Sequence, residues 1–144
     1  MATTEERFSM ALHNTARIWR QAIDRRLKDV GVGQAGWLAI ANIAKSKTAL
    51  SQIELANLLG VEGPTVVSLV DRLVKAELVQ RVPSETDRRV KHVVLTEAGQ
   101  ALYGKVRTAA DAYRKELLAG IDKTRLLAAT ELLEELQAMV EASL

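Results

Sequence analysis

SQIELANLLGVEGPTVVSLVDRLVK, residues 51–75, reads as two short helices on either side of a tight turn. Ser51-Gln52-Ile53-Glu54 is a capping box. The Ser hydroxyl and the Glu carboxylate each satisfy a backbone donor that the first helical turn leaves free. A helix over 52–59 follows, with Ile53, Leu55, Ala56 and Leu59 expected mostly inward. Gly60 stops it and Val61 plugs the turn. Pro64 suits the first position of the next helix, where no N–H is needed. This second helix runs to Ala76, with Val66, Val67, Val70, Leu73 and Val74 expected on its buried side. Thr65, Ser68, Arg72 and Lys75, spaced three, four and three, line the opposite face. Two short helices joined through a Gly turn make a helix-turn-helix, here over 52–75.

Downstream the apolar period changes from 3.6 to 2. Residues 78–82 and 92–96 read as two strands, joined by the polar loop 83–91. A hairpin behind a helix-turn-helix is a wing, and this one is basic. Arg81, Arg88, Arg89 and Lys91 outweigh Glu85 and Asp87, although residues 48–96 as a whole are balanced. Any polyanion contact must therefore be local and shaped. The hydroxyls of Thr65 and Ser68 allow close approach to base edges, and Arg72 and Lys75 reach guanine or phosphate. A loop arginine such as Arg89 enters a narrow minor groove, where the negative potential is strongest. Asp87 either pairs with one Arg and fixes its direction or is a simple turn residue. His92 flanks the wing as a phosphate donor. Ser51, Gln52 and Pro64, at the helix starts, complete the expected contact set for double-stranded DNA. For a lone helix an ordinary solvated face is the better reading; the capped helix before it and the basic hairpin after it reverse that preference.

The chain ends carry long apolar stripes. Phe8, Leu12, Ala16, Trp19, Ile23, Leu27 and Val30 make one face of a helix over 5–30, ended by Gly31-Val32-Gly33. A shorter helix over 34–45 turns Trp37, Ile40, Ala41 and Ala44 inward. Thr96 caps a helix to about Gly120, and a last helix covers 123–142. There Leu126, Ala129, Leu133, Leu136 and Val140 are widened by Leu127, Leu132 and Met139. That excess of apolar surface is better buried in a partner subunit than left in water, so a homodimer is expected. Residues 5–30 and 97–142 would form its frame around a DNA-binding module at 48–96, within one domain over 5–142. The fold class expected is mainly α with a small β-hairpin wing, a winged helix-turn-helix on a helical dimerisation frame.

The rest of the composition narrows the function classes. At 144 residues, 48% of them apolar and 26% charged, the chain reads as globular. It has no cysteine, which removes disulfides, thiolate metal sites and thiol redox sensing. His13 and His92 lack ligand-type spacing, so no metal is expected. Gly31-Val-Gly-Gln-Ala-Gly36 matches G-x-G-x-x-G but follows an amphipathic helix rather than a buried strand, so no dinucleotide cofactor is expected. No nucleophile–base pair stands in a recognisable context, and no catalytic residues are assigned. The acidic, polar start does not resemble a signal peptide, and no apolar run approaches a membrane span; a cytoplasmic protein without membrane contact is the expectation.

The run D-R-R-x-x-x-x-x-L-T-x-x-G (Asp87, Arg88, Arg89, Leu95, Thr96, Gly99) resembles the signature of the MarR family of bacterial regulators. R-I-W-R (Arg17 to Arg20), I-D-x-R-L-K (Ile23 to Lys28), Trp37, S-Q-I-E-L-A (Ser51 to Ala56) and G-V-E-x-P (Gly60 to Pro64) are similar to its SlyA branch. The resemblance covers nearly the whole chain. It implies a homodimer whose first, fifth and sixth helices interlock, with two winged modules on a palindromic operator. It also implies release by small anionic or phenolic ligands held between the frame and the DNA module. Two positions depart from the SlyA-like pattern. Ser68 stands where an arginine is usual, which alters base preference. Glu77 replaces the usual glycine, so either it is left-handed, at about 1 kcal/mol, or the helix end is built differently. For a small aromatic carboxylate or phenolic ligand the candidates are Trp37 as an aromatic wall and Arg17 and Arg20 as cations. Equally, Trp37 is plain core and the arginines are solvated or pair with Asp24. Ala41 stands where relatives carry a polar pocket residue. The rival function is a winged-helix module for protein–protein assembly without sequence-specific DNA binding.

Overall fold

The computed structural model describes residues 1–144 and contains six α-helices and three strands. In chain order these are α1 (Thr4–Arg26), α2 (Gly33–Lys45), β1 (Leu50–Ser51), α3 (Gln52–Leu59), α4 (Gly63–Lys75), β2 (Val79–Pro83), β3 (Lys91–Leu95), α5 (Glu97–Leu118) and α6 (Lys123–Ser143). No single helix is long and apolar enough to cross a membrane. The chain divides into two compact units, residues 1–111 and 112–144.

In the first unit, α2, α3 and α4 close over a small antiparallel sheet of order β1-β3-β2. Ile40 of α2, Leu55 of α3, Val66, Val70 and Leu73 of α4, Val79 of β2 and Val93 of β3 are fully buried together. Each such side chain contributes about 1.5–3 kcal/mol relative to exposure. The buried stripe of α4 is Val66, Leu69, Val70 and Leu73. Val67 and Val74, expected inside, are 40% and 37% exposed. Positions 66, 69, 70 and 73 complete a narrow 3.6-period stripe, which leaves 67 and 74 at its edges. Ile53 is also corrected: it sits in the first turn of α3 and is 73% exposed, while Leu55 and Ala56 turn inward.

Three further boundaries differ from the sequence reading. The long first helix stops at Arg26, and a 3₁₀ turn, Lys28–Val30, carries the chain to left-handed Gly31 (φ 72°). The hairpin is joined by a third strand, β1, pairing Leu50 with Val93 and Ser51 with His92. Strands β2 and β3 pair from Val79 with Leu95 to Pro83 with Lys91, in the expected frame but with each strand bounded one residue nearer the loop.

The exit from α4 settles the question of residue 77. Glu77 is left-handed, with φ 61°. Its N–H donates to the Val74 carbonyl at 2.9 Å, and Leu78 N–H donates to the Leu73 carbonyl at 3.0 Å. This is the Schellman arrangement that glycine usually completes. The same corner receives the start of α5. Thr96 donates its N–H to the Leu78 carbonyl (3.0 Å) and its hydroxyl to the Glu77 carbonyl (2.7 Å). The Thr96 hydroxyl in turn accepts the Gly99 N–H at 3.0 Å, capping α5. A Cβ at Gly99 would lie 2.1 Å from the Leu78 carbonyl oxygen, so only glycine fits.

The second unit holds the end of α5 and α6, which Asp122 caps by accepting the Arg125 N–H at 3.0 Å. No residue of α6 is buried, and Leu127, Leu132, Leu133, Met139 and Val140 are exposed.

The corner yields a paired expectation. Gly99→Ala should lower unfolding stability by about 2–3 kcal/mol, since a backbone oxygen cannot yield as a side chain does. Glu77→Gly should raise it by about 0.5–1 kcal/mol, relieving the left-handed residue less the entropy glycine adds to the unfolded chain. Urea denaturation of the two variants beside the wild type checks both signs.

Candidate nucleic-acid interface

The ridge on α4 is present as a surface. Thr65, Ser68, Arg72 and Lys75 are all exposed, and Pro64 stands exposed in the helix's first turn. Short side chains at the start of the helix and cations toward its end follow the order of the sequence, because successive turns climb one face.

The wing tip is built around a buried hydroxyl. Ser84 is 7% exposed, and its Oγ accepts the N–H groups of Thr86 and Asp87, each at 3.3 Å. Ser84 N–H donates to the Val90 carbonyl (2.9 Å) and Val90 N–H to the Asp87 carbonyl (3.0 Å), closing the loop. Asp87 then grips Arg89 three ways. Its carboxylate accepts the Arg89 backbone N–H, Nε and Nη2, all at 3.1 Å. Those bonds, the side-chain ones first, hold the Asp87 carboxyl below the ordinary carboxylate range. The carboxylate therefore stays charged as pH falls to its unperturbed value, and the grip is lost only below that. The Arg89 side chain remains 91% exposed, a cation fixed in direction but open to an incoming anion. Arg88 and Lys91 are exposed beside it.

Other expected contact residues are engaged inside the protein. Ser51 caps α3: its Oγ accepts Glu54 N–H at 3.1 Å, and its own N–H donates to Glu54 Oε1 at 3.0 Å. The Ser51 N–H, then its hydroxyl, depress the Glu54 pKa, with the nearby His92 adding a smaller effect. His92 is half-buried in β3 between Ser51 and Val82. Arg81, expected to face DNA, instead points its Nε at Gln52 Oε1 (2.9 Å) and its Nη2 at Asp71 (2.7 Å). Gln52 is correspondingly occupied by Arg81. The separations, 29 residues to Gln52 and 10 to Asp71, carry no local signal.

The ligand candidates separate. Trp37 is 4% exposed, and its Nε1 donates to Asp24 Oδ1 at 2.8 Å, so the core reading describes it. Ala41 is buried as well, and Arg17 is exposed. A cleft of about 680 Å³ opens elsewhere in the same unit. Arg20 lines it with Gln34, Ala35, Leu38 and Asn42 of α2, Leu58 and Leu59 of α3, Val61, and Thr65, Ser68, Leu69 and Arg72 of α4. Trp37, Ala41 and Arg17 do not. Only Arg20 among the ligand candidates reaches this cleft. Gln34, Leu38 and Asn42 were missed; their recurrence every fourth residue along one face of α2 is the signal that would have found them.

A family model described as MarR family matches residues 30–90. The crystal structure of transcriptional regulator PA3341 is 37% identical, with a TM-score of 0.87 over 94% of this chain and 98% of that one. AbsC, a MarR family transcriptional regulator from Streptomyces coelicolor, is 20% identical with a TM-score of 0.81, over 99% of this chain and 98% of its own. CouR from Rhodococcus jostii RHA1, solved with p-coumaroyl-CoA bound, is 21% identical with a TM-score of 0.79, over 94% and 95%. The latter two share the fold. With the winged helix-turn-helix, the D-R-R wing and a regulator alike over nearly its full length, the chain belongs to the MarR family of transcriptional regulators.

Proposed function

We propose that this protein is a sequence-specific DNA-binding regulator of the SlyA-like branch, acting as a homodimer on a palindromic operator. One observation carries the reading: an exposed ridge, Thr65–Ser68–Arg72–Lys75, shares a unit with an arginine held outward by its neighbour's carboxylate. A protein-assembly face would not require an exposed guanidinium already oriented. The ridge addresses base edges in the major groove, where every base pair is distinguishable. Arg89 addresses the minor groove, where width and charge are read instead. Residues 48–96 are the DNA-binding module in this reading, and 5–30 and 97–142 the dimer frame. Phe8, Leu12 and Ile18 on α1 and the apolar residues of α6, exposed in the single chain, support a second copy as their cover.

A ligand response is favoured by the cleft. Arg20 and Arg72 both line it, offering cations to a small aromatic carboxylate or phenolate, and Leu38, Leu58 and Leu69 offer apolar wall. Because Thr65, Ser68 and Arg72 belong both to the cleft and to the ridge, an occupant there would compete with DNA for the same side chains.

Arg89→Ala should weaken operator binding by about 1–3 kcal/mol per site and flatten its salt dependence, since fewer counterions are released. Asp87→Ala should also weaken binding, even though it removes a negative charge, because Arg89 loses its direction. Ser68→Ala and Arg72→Ala should change the preferred bases. Selection from random DNA, followed by affinity at several salt concentrations, reads all four. Arg89→Ala binding as tightly as wild type would overturn the assigned roles.

The dimer and ligand readings have their own measurements. Sedimentation should show a dimer, and removal of residues 126–144 should give an aggregating chain; a soluble folded monomer from that truncation sinks the frame. Millimolar salicylate should lower operator affinity, and Arg20→Ala should raise the salicylate needed while leaving ligand-free DNA affinity nearly unchanged. Operator affinity unmoved by salicylate in the wild type counts against the cleft.

A further inference from the structure

Arg81 stands on β2, opposite Val93 of β3, with its side chain 27% exposed. A single guanidinium there reaches both helices of the helix-turn-helix. Nε donates to Gln52 Oε1 of α3 at 2.9 Å. Nη2 lies 2.7 Å from Asp71 Oδ1 and donates to the Val67 carbonyl at 3.3 Å, both on α4. The wing strand, α3 and α4 are thereby tied at one planar group of fixed fork geometry. Asp71 is 60% exposed, and an ion pair so open adds little to stability. Its use has to be sought elsewhere. At 27% exposure and with Nε and Nη2 both engaged, the guanidinium offers little to a phosphate.

We propose that Arg81 is a positioning residue that holds the wing at a set angle to α4. The ridge and Arg89 then arrive in adjoining grooves in register. The proposal rests on the DNA-binding reading above and adds the internal strut that reading needs.

The test uses the full-length protein, a duplex selected by the wild type, and a random-sequence duplex. Arg81→Lys keeps the charge but cannot hold both helices at once. Asp71→Asn removes the carboxylate. Gln52→Ala frees the guanidinium at the α3 end and, being a truncation at a half-buried position, leaves a folded protein if the others do not. Each should bind the selected duplex about tenfold more weakly. Random-duplex affinity, the salt slope and the melting temperature should stay near wild type. The Arg81→Lys/Asp71→Asn pair should lose no more than either alone, because both break one interaction. A role in stability alone would move the melting temperature and not the ratio of selected to random affinity.

The opposite result has a clear form. If Asp71→Asn tightens binding to both duplexes, and Arg81→Lys matches wild type, Arg81 is a phosphate contact and the strut is overturned. A wild type that selects no sequence overturns the DNA-binding reading itself, and the strut with it. The two failures are thus distinguishable.

Discussion

The corner at Leu78 is the constraint on which the rest depends. A single carbonyl there accepts from Thr96 and is approached so closely by α5 that residue 99 has no room for a Cβ. Three elements meet at that point: the end of α4, the first residue of β2 and the start of α5. The Schellman bonds fix where α4 ends, and the Thr96 bonds fix where α5 begins. The hairpin between is therefore held at its base by these bonds as well as by the burial of Val79 and Val93. Tolerance of left-handed Glu77 fits this picture. A strained residue persists where the surrounding bonds over-determine its conformation.

From that base the polar chemistry is organised outward in nested local contacts. Ser84 fixes the turn, the turn presents Asp87, and Asp87 directs Arg89. Each step is short in sequence and made of hydrogen bonds, so the tip keeps its form without a core of its own. The second cation of the wing, Arg81, works in the other direction, back into the helices. Two arginines eight residues apart on one hairpin thus point in opposite directions, and their side chains are 27% and 91% exposed accordingly.

What was legible in the sequence was local. Ser51 with Glu54, Gly60 and Pro64 punctuate the helix-turn-helix, and α3 runs from Gln52 to Leu59 as they require. The pattern L-T-x-x-G likewise marked the start of α5, and the structure supplies its reason in the Leu78 carbonyl. What escaped depended on tertiary contact. β1 is two residues long, too short for any period to show. Val67 and Leu69 exchange places because apolar identity alone does not tell the edge of a stripe from its centre. Asp24 was weighed as a partner for the arginines of its own helix, but it serves the indole of Trp37, thirteen residues on. The cleft draws on α1, α2, α3 and α4 together, and no window of sequence contains it.

The bond from Trp37 to Asp24 gives the molecule an optical property. The chain has two tryptophans, and Trp37 is the one that is almost wholly enclosed, with its ring nitrogen bonded to a carboxylate of α1. An indole so placed emits at shorter wavelength than one in water, and its emission shifts when the ring is wetted. Since the partner lies on α1 and the ring on α2, wetting follows the parting of those two helices. With Trp19 replaced by phenylalanine, that shift becomes a label-free gauge of whether the first helix is seated.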